Sequence, residues 1–99
     1  MSTLDGYCFE GCTFTEFEVP AHITTCGGDI FNDCKNLKTI IWNSPYSGMN
    51  PSYSDCFCGV RSQIENFVIN VSEIPTYLLV DMPNLQTITI GRNYTNDYL

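Results

Sequence analysis

The sequence predicts a repeat solenoid, in which coils stack side by side and each gives one short strand to a single parallel β-sheet. Three observations predict it. The phrase F-x-x-C, followed by strand-spaced apolar residues, occurs at Phe9–Val19 and again at Phe31–Trp42. Phe9 and Phe31 are 22 residues apart, and so are Cys12 and Cys34. A second phrase, L-x-x-I-x-I, recurs as Leu37/Ile40/Trp42, Ile64/Phe67/Ile69 and Leu85/Ile88/Ile90, after a shortened Phe14/Phe17/Val19. The last strand residues advance in steps of 23, 27 and 21. Finally, aligned columns stay apolar: Phe9, Phe31, Phe57 and Leu79 share one, and Cys12, Cys34, Val60 and Met82 another. A period in the low twenties suits one strand and one return segment per coil. Columns that keep apolar character under substitution are sites stacked inside the coil.

The elements follow in chain order. Leu4–Cys12 is half a coil. Strands are expected near residues 16–19, 39–42, 66–69 and 87–90, one for each of about four repeats. Side chains alternate along a strand, so Phe17/Val19, Ile40/Trp42, Phe67/Ile69 and Ile88/Ile90 point inward. Glu16/Glu18, Thr39/Ile41, Asn66/Val68 and Thr87/Thr89 then face solvent. Pro20 and Gly91 interrupt the ladder after their strands. The return segments are too short for long helices; Asp29–Asn32 and Thr76–Leu79 suit single helical or 3-10 turns. Residues 43–55, rich in Pro, Gly, Asn and Ser, break the pattern as a loop insertion. Such a loop either detours through solvent at little cost or presents Tyr46, Met49 and Tyr53 for recognition. Tyr94–Leu99 begins another coil, and neither end carries a polar cap. Residues 1–99 therefore read as a single domain, a slice of a longer array, whose uncapped ends are expected to fray or self-associate.

Composition is consistent with this. A chain of 99 residues with six Phe, six Tyr and one Trp has material for a core and buries roughly 60–65% of its unfolded surface. Eleven acidic residues against four basic ones give a net charge of −7. That balance disfavours nucleic acid and anionic membrane surfaces, which need basic patches. No apolar run approaches the ~20 residues of a membrane span. The opening Met1–Gly6 has neither a basic start nor an apolar stretch, so no signal peptide is expected in this chain.

Six cysteines and one histidine raise the question of chemistry. A metal site from Cys8, Cys12, Cys56, Cys58 and His22 lacks the paired C-x2-C spacing such sites use. Cys12, Cys26 and Cys34 occupy apolar columns, where a free thiol behaves as a small hydrophobe. Cys12 and Cys34 sit one coil apart, at a distance compatible with a disulfide, although parallel inward vectors favour free thiols. Cys58 is the candidate reactive thiol. His22 reads as a solvated turn residue. Glu16 and Glu18 form a carboxylate pair of the kind glycoside hydrolysis uses, but nothing else supplies a pocket, so an acidic edge is the simpler reading. Asn70-Val71-Ser72 and Asn93-Tyr94-Thr95 fit glycosylation sequons, with Val71 on a core column. No catalytic residue, cofactor or metal is expected.

Residues 20–37, from Pro20 through Ile23, Gly27, Ile30, Phe31 and Cys34 to Leu37, carry a familiar pattern. They resemble the repeat P-x-x-V-x-x-I-G-x-x-A-F-x-x-C-x-x-L of BspA-type leucine-rich repeat proteins, with Cys26 in an aliphatic position. Residues 61–78 resemble a recurring variant, and the likeness extends over roughly residues 4–91. It implies a right-handed leucine-rich-repeat solenoid with irregular or 3-10 return segments. It also implies a non-catalytic, protein-binding or adhesion module of a bacterial cell-surface or secreted protein, contacting host or extracellular matrix proteins. The chain would then be part of a longer precursor. A spacer without its own ligand, and an intracellular scaffold, remain as alternatives. A protein contact is expected on the solvent face of the sheet, from Glu16 and Glu18 through Thr39, Ile41, Asn66 and Val68 to Thr87 and Thr89. Tyr46 and Tyr53 lie at its rim.

Overall fold

The computed structural model describes residues 2–48 and 55–91. Its main sheet holds four strands: β2 (Glu16–Val19), β4 (Thr39–Trp42), β5 (Asn66–Ile69) and β6 (Thr87–Ile90). They pair in the order β2-β4-β5-β6, all parallel. Each coil thus lays its strand beside that of the coil before, and the chain forms a solenoid of about four turns. The four spans coincide with the expected ones because each begins where apolar alternation starts. A smaller parallel pair, β1 (Thr3–Leu4) with β3 (Thr25–Cys26), was not anticipated. It ties the N-terminal half coil to the second coil, and Gly27 makes it possible, since a Cβ there would collide with the Gly6 backbone.

The inward side chains are buried as expected in the middle of the stack: Val19, Ile40, Trp42, Phe67 and Ile69 are fully enclosed. Burial fades towards both edges. Phe17 is half-buried, and Ile88 and Ile90 on β6 are 50% and 36% exposed. An inner face is covered only by its neighbouring coils, so edge coils stay open.

The return segments stack by the same rule. Phe9 N–H donates to the Ile30 carbonyl at 3.0 Å, Gly11 N–H to the Asn32 carbonyl at 2.9 Å, and Asp29 N–H to the Asp55 carbonyl at 2.9 Å. The rings of the phenylalanine column lie nearly parallel, Phe31 being 6.0 Å from Phe9 and 6.0 Å from Phe57. Each segment closes through i to i+3 bonds, such as Asn32 N–H to Asp29 C=O at 3.0 Å and Leu78 N–H to Pro75 C=O at 3.2 Å. A true 3-10 helix, Arg61–Gln63, appears in the third coil. Two residues after each column-forming Phe or Leu the backbone turns left-handed: Gly11, Asp33, Gly59 and Asp81 have φ of 74°, 62°, 88° and 57°. Gly adopts that conformation without penalty, and Asp is among the few others that tolerate it.

Among the described residues one charged pair lies inside. Arg61 Nη2 meets Asp55 Oδ2 at 2.8 Å, and Arg61 Nη1 donates to the carbonyls of Leu78 (3.1 Å) and Val80 (2.7 Å). The guanidinium also lies 5.6 Å from the Phe57 ring centre. Asp55 Oδ1 in turn accepts the Phe57 N–H at 3.1 Å. This network fastens the third return segment to the fourth. Met49, Tyr53 and the Tyr94–Leu99 segment lie outside the described residues.

Candidate functional site

Register places the solvent-facing strand residues in two rows. Glu16, Thr39, Asn66 and Thr87 form one, and Glu18, Ile41, Val68 and Thr89 the other. Neighbours within a row are about 4.8 Å apart, the strand spacing. In the first row, Asn66 Nδ2 donates to Thr39 Oγ1 at 3.2 Å and Thr87 Oγ1 donates to Asn66 Oδ1 at 2.6 Å. In the second, Ile41 and Val68 are adjacent and half-buried, while Glu18 and Thr89 on either side are exposed. The face is therefore an apolar pair framed by hydrogen-bonded polar groups and two exposed carboxylates, Glu16 and Glu18.

Beyond the strand ends the frame continues. Asn43 Nδ2 donates to Glu18 Oε2 at 2.8 Å, and Asn70 Nδ2 donates to Asn43 Oδ1 at 2.8 Å. This chain of amides leads into a cleft of about 650 Å³ that sequence reading missed. Asn43, Ser44 and Pro45 line one wall, and Asn70, Glu73 and Ile74 the other. The loop insertion that begins at Asn43 builds the first wall. Among the described residues that line the cleft, Glu73 is the charged one. Asn43 and Asn70 sit at matching positions one residue beyond β4 and β5, which is the sequence signal for the ladder. The cleft has no such signal, because it lies between two loops that the chain order does not bring together.

The insertion behaves differently from a freely presented loop at its start. Tyr46 is half-buried against the core, its N–H donates to Ser44 Oγ at 3.0 Å, and burial pushes its phenol pKa up. Ser44 is itself buried, its hydroxyl donating to the Ile23 carbonyl at 2.6 Å. Tyr53, the other rim candidate, lies outside the described residues. His22 is exposed at a turn. Glu16 and Glu18 stand on the open sheet and line neither the large cleft nor a smaller one beside Thr3 and Cys8.

None of the six cysteines is in a disulfide. Cys34 donates its S–H to the Phe9 carbonyl at 3.0 Å. Cys58, singled out as the reactive thiol, is half-buried; Cys8 is the exposed one, because the half coil to which it belongs is covered on one side only. Burial raises the Cys8 pKa, with Asp5 adding to the effect.

A parallel stack of short strands with period-matched turns defines a leucine-rich-repeat solenoid. Residues 2–97 match the family model of the BspA type leucine rich repeat region (6 copies). The chain belongs to the BspA-type leucine-rich repeat family. No curated protein and no solved structure matches it significantly. Among the described residues no helix is long and apolar enough to cross a membrane.

Proposed function

We propose that this chain is a protein-binding module that acts in adhesion at a bacterial cell surface or in secreted form, and that its contact surface is the solvent face of the sheet. The observation that carries the reading is the Ile41–Val68 pair at the centre of that face, framed by Glu18, Thr89 and the Thr39–Asn66–Thr87 ladder. An apolar centre with a polar rim is the usual anatomy of an interface. The ladder holds the rim side chains in place before binding, which lowers the ordering cost of association. The adjoining cleft extends this surface. With Glu73 as the charged residue of its described lining, it suits a neutral or basic protruding segment of the partner. Family membership supports the binding role, and extracellular matrix proteins are the partners to try first.

The test immobilises a panel of matrix proteins and measures binding of the chain and of the double variant Ile41→Lys/Val68→Lys. Both positions face solvent, so the variant is expected to fold. Affinity should fall at least tenfold, about 1.4 kcal/mol. Full affinity in the folded variant would move the contact off the sheet face and towards the cleft. Absence of binding across partner panels would favour a spacer role.

A further inference from the structure

The amide ladder that runs into the cleft has a direction, and Glu18 sets it. A carboxylate only accepts hydrogen bonds. Asn43 must therefore turn its amide nitrogen towards Glu18, and Nδ2 meets Oε2 at 2.8 Å. That leaves the Asn43 oxygen facing the next coil, where a donor must meet it. Asn70 supplies one, Nδ2 to Asn43 Oδ1 at 2.8 Å. The Asn70 oxygen is thereby turned the other way, towards the fourth coil. Residue 91 stands there in the backbone ladder, its N–H on the Ile69 carbonyl at 2.6 Å, and it is a glycine. A Cβ at Gly91 would overlap Asn70 Oδ1, so the missing side chain makes room for that oxygen. One carboxylate on the sheet thus fixes the orientation of an acceptor on Asn70, a residue of the cleft wall.

We propose that the cleft is a lysine-binding site, in which Asn70 Oδ1 and the Glu73 carboxylate receive the ammonium of an exposed lysine on the partner. The proposal rests on the protein-binding reading above for the source of that lysine. An ammonium carries three donors and no acceptor, so it matches a site whose oriented groups accept. Glu73 shares its wall with Asn70 and is exposed, and it supplies the opposite charge. Hydrogen bonds between ionised groups are roughly twice as strong as neutral ones. A guanidinium is best met by one planar carboxylate, whereas acceptors on two separate side chains suit the compact ammonium. The rest of the lining suits the stem of a lysine. Pro45 on one wall and Ile74 and Pro75 on the other offer it an apolar path. A partner's carboxylate is opposed twice, by the charge of Glu73 and by the oxygen that Asn70 presents. The net charge of −7 draws basic segments towards the molecule. Glu18 is a positioning residue for this site: it acts on the ammonium through two amides, without touching it.

The experiment titrates the full, isotope-labelled chain with the peptide acetyl-Gly-Lys-Gly-amide and follows the side-chain amide signals by NMR. The same peptide with norleucine or acetyl-lysine in place of lysine keeps the stem and lacks the charge. The lysine peptide should shift the Asn43 and Asn70 amide signals to saturation, with a Kd on the order of 1 mM. Both uncharged peptides, and the lysine peptide on Glu73→Gln, should bind roughly tenfold more weakly or less. Glu18→Lys puts a donor at the foot of the ladder, which reverses both amides, and should lose the lysine peptide to the same degree. Glu10→Lys makes the same charge change and breaks a comparable bond, Asn32 Nδ2 to Glu10 Oε2 at 2.9 Å, on a return segment; it should bind as the native chain does. Absence of saturable shifts, equal binding of the norleucine peptide, shifts confined to the sheet face, or unchanged affinity in folded Glu18→Lys would each overturn the proposal. So would an equal loss in Glu10→Lys, the mark of a bulk charge effect. The native titration depends on no variant. It also uses no matrix protein, so failure of the lysine site and failure of the sheet-face contact are read separately.

Discussion

Phe31 has an aromatic ring on each side and no exposed surface. Phe17 and Phe14 also meet it edge-on at 5.2 and 6.3 Å. Removing that ring would leave a void bounded by three coils. Phe31→Ala should cost about 3–5 kcal/mol, the usual range for a core aromatic, against a total of about 5–15 kcal/mol for a domain. Equilibrium denaturation of the variant checks this; an unchanged midpoint would mean that the column does not carry the stack. The column was legible because its aromatic character recurs at the repeat period. Arg61 was not. Its equivalents in the other coils are Thr13, Lys35 and Pro83, and Lys35 is exposed, meeting Asp33 at the surface at 3.6 Å. Nothing local separates Arg61 from Lys35. Arg61 turns inward because the end of the insertion brings Asp55 beneath it and the fourth coil offers two carbonyls.

At the scale of elements, strand positions were readable because the inward apolar residues recur at every second position and at the repeat period, and β2 and β6 stop at Pro20 and Gly91. The β1–β3 pair was hidden, since two residues carry too little pattern to register as a strand. The cleft was hidden for a related reason: it is a gap between elements, and sequence periodicity reports what fills a coil. The tight turn of each return segment occupies a middle ground. Its left-handed residue alternates Gly11, Asp33, Gly59, Asp81, a column visible in the sequence once the repeat is aligned. Gly59→Ala should cost about 1–2 kcal/mol from the left-handed backbone alone, since an added Cβ would meet only Asn32 Oδ1 at an ordinary 3.6 Å. Asp33→Gly should change stability by less than about 0.5 kcal/mol, because relief of strain is offset by a looser unfolded chain, and the exposed Lys35 partner contributes little. Thermal midpoints of the two variants measure both; equal losses would show that the turn is not the controlling feature.

Across the whole molecule, each coil depends on its neighbours, and β6 leaves Ile88 and Ile90 open along an unpaired sheet edge among the described residues. We expect the isolated chain to self-associate through this edge, because exposed edges with apolar faces recruit further strands. Sedimentation velocity should show a concentration-dependent shift that Ile88→Lys removes. A monomer at every concentration would count against it. The anchoring of the insertion has a different consequence. Its start is bonded at Ser44 and its end at Asp55, so both boundaries of the insertion are tied to the stack whatever its length. Doubling a loop of this kind costs only about 0.6 kcal/mol in closure entropy. Evolution therefore has a position here where new sequence can be tried, one lineage after another, while the solenoid that carries it stays the same.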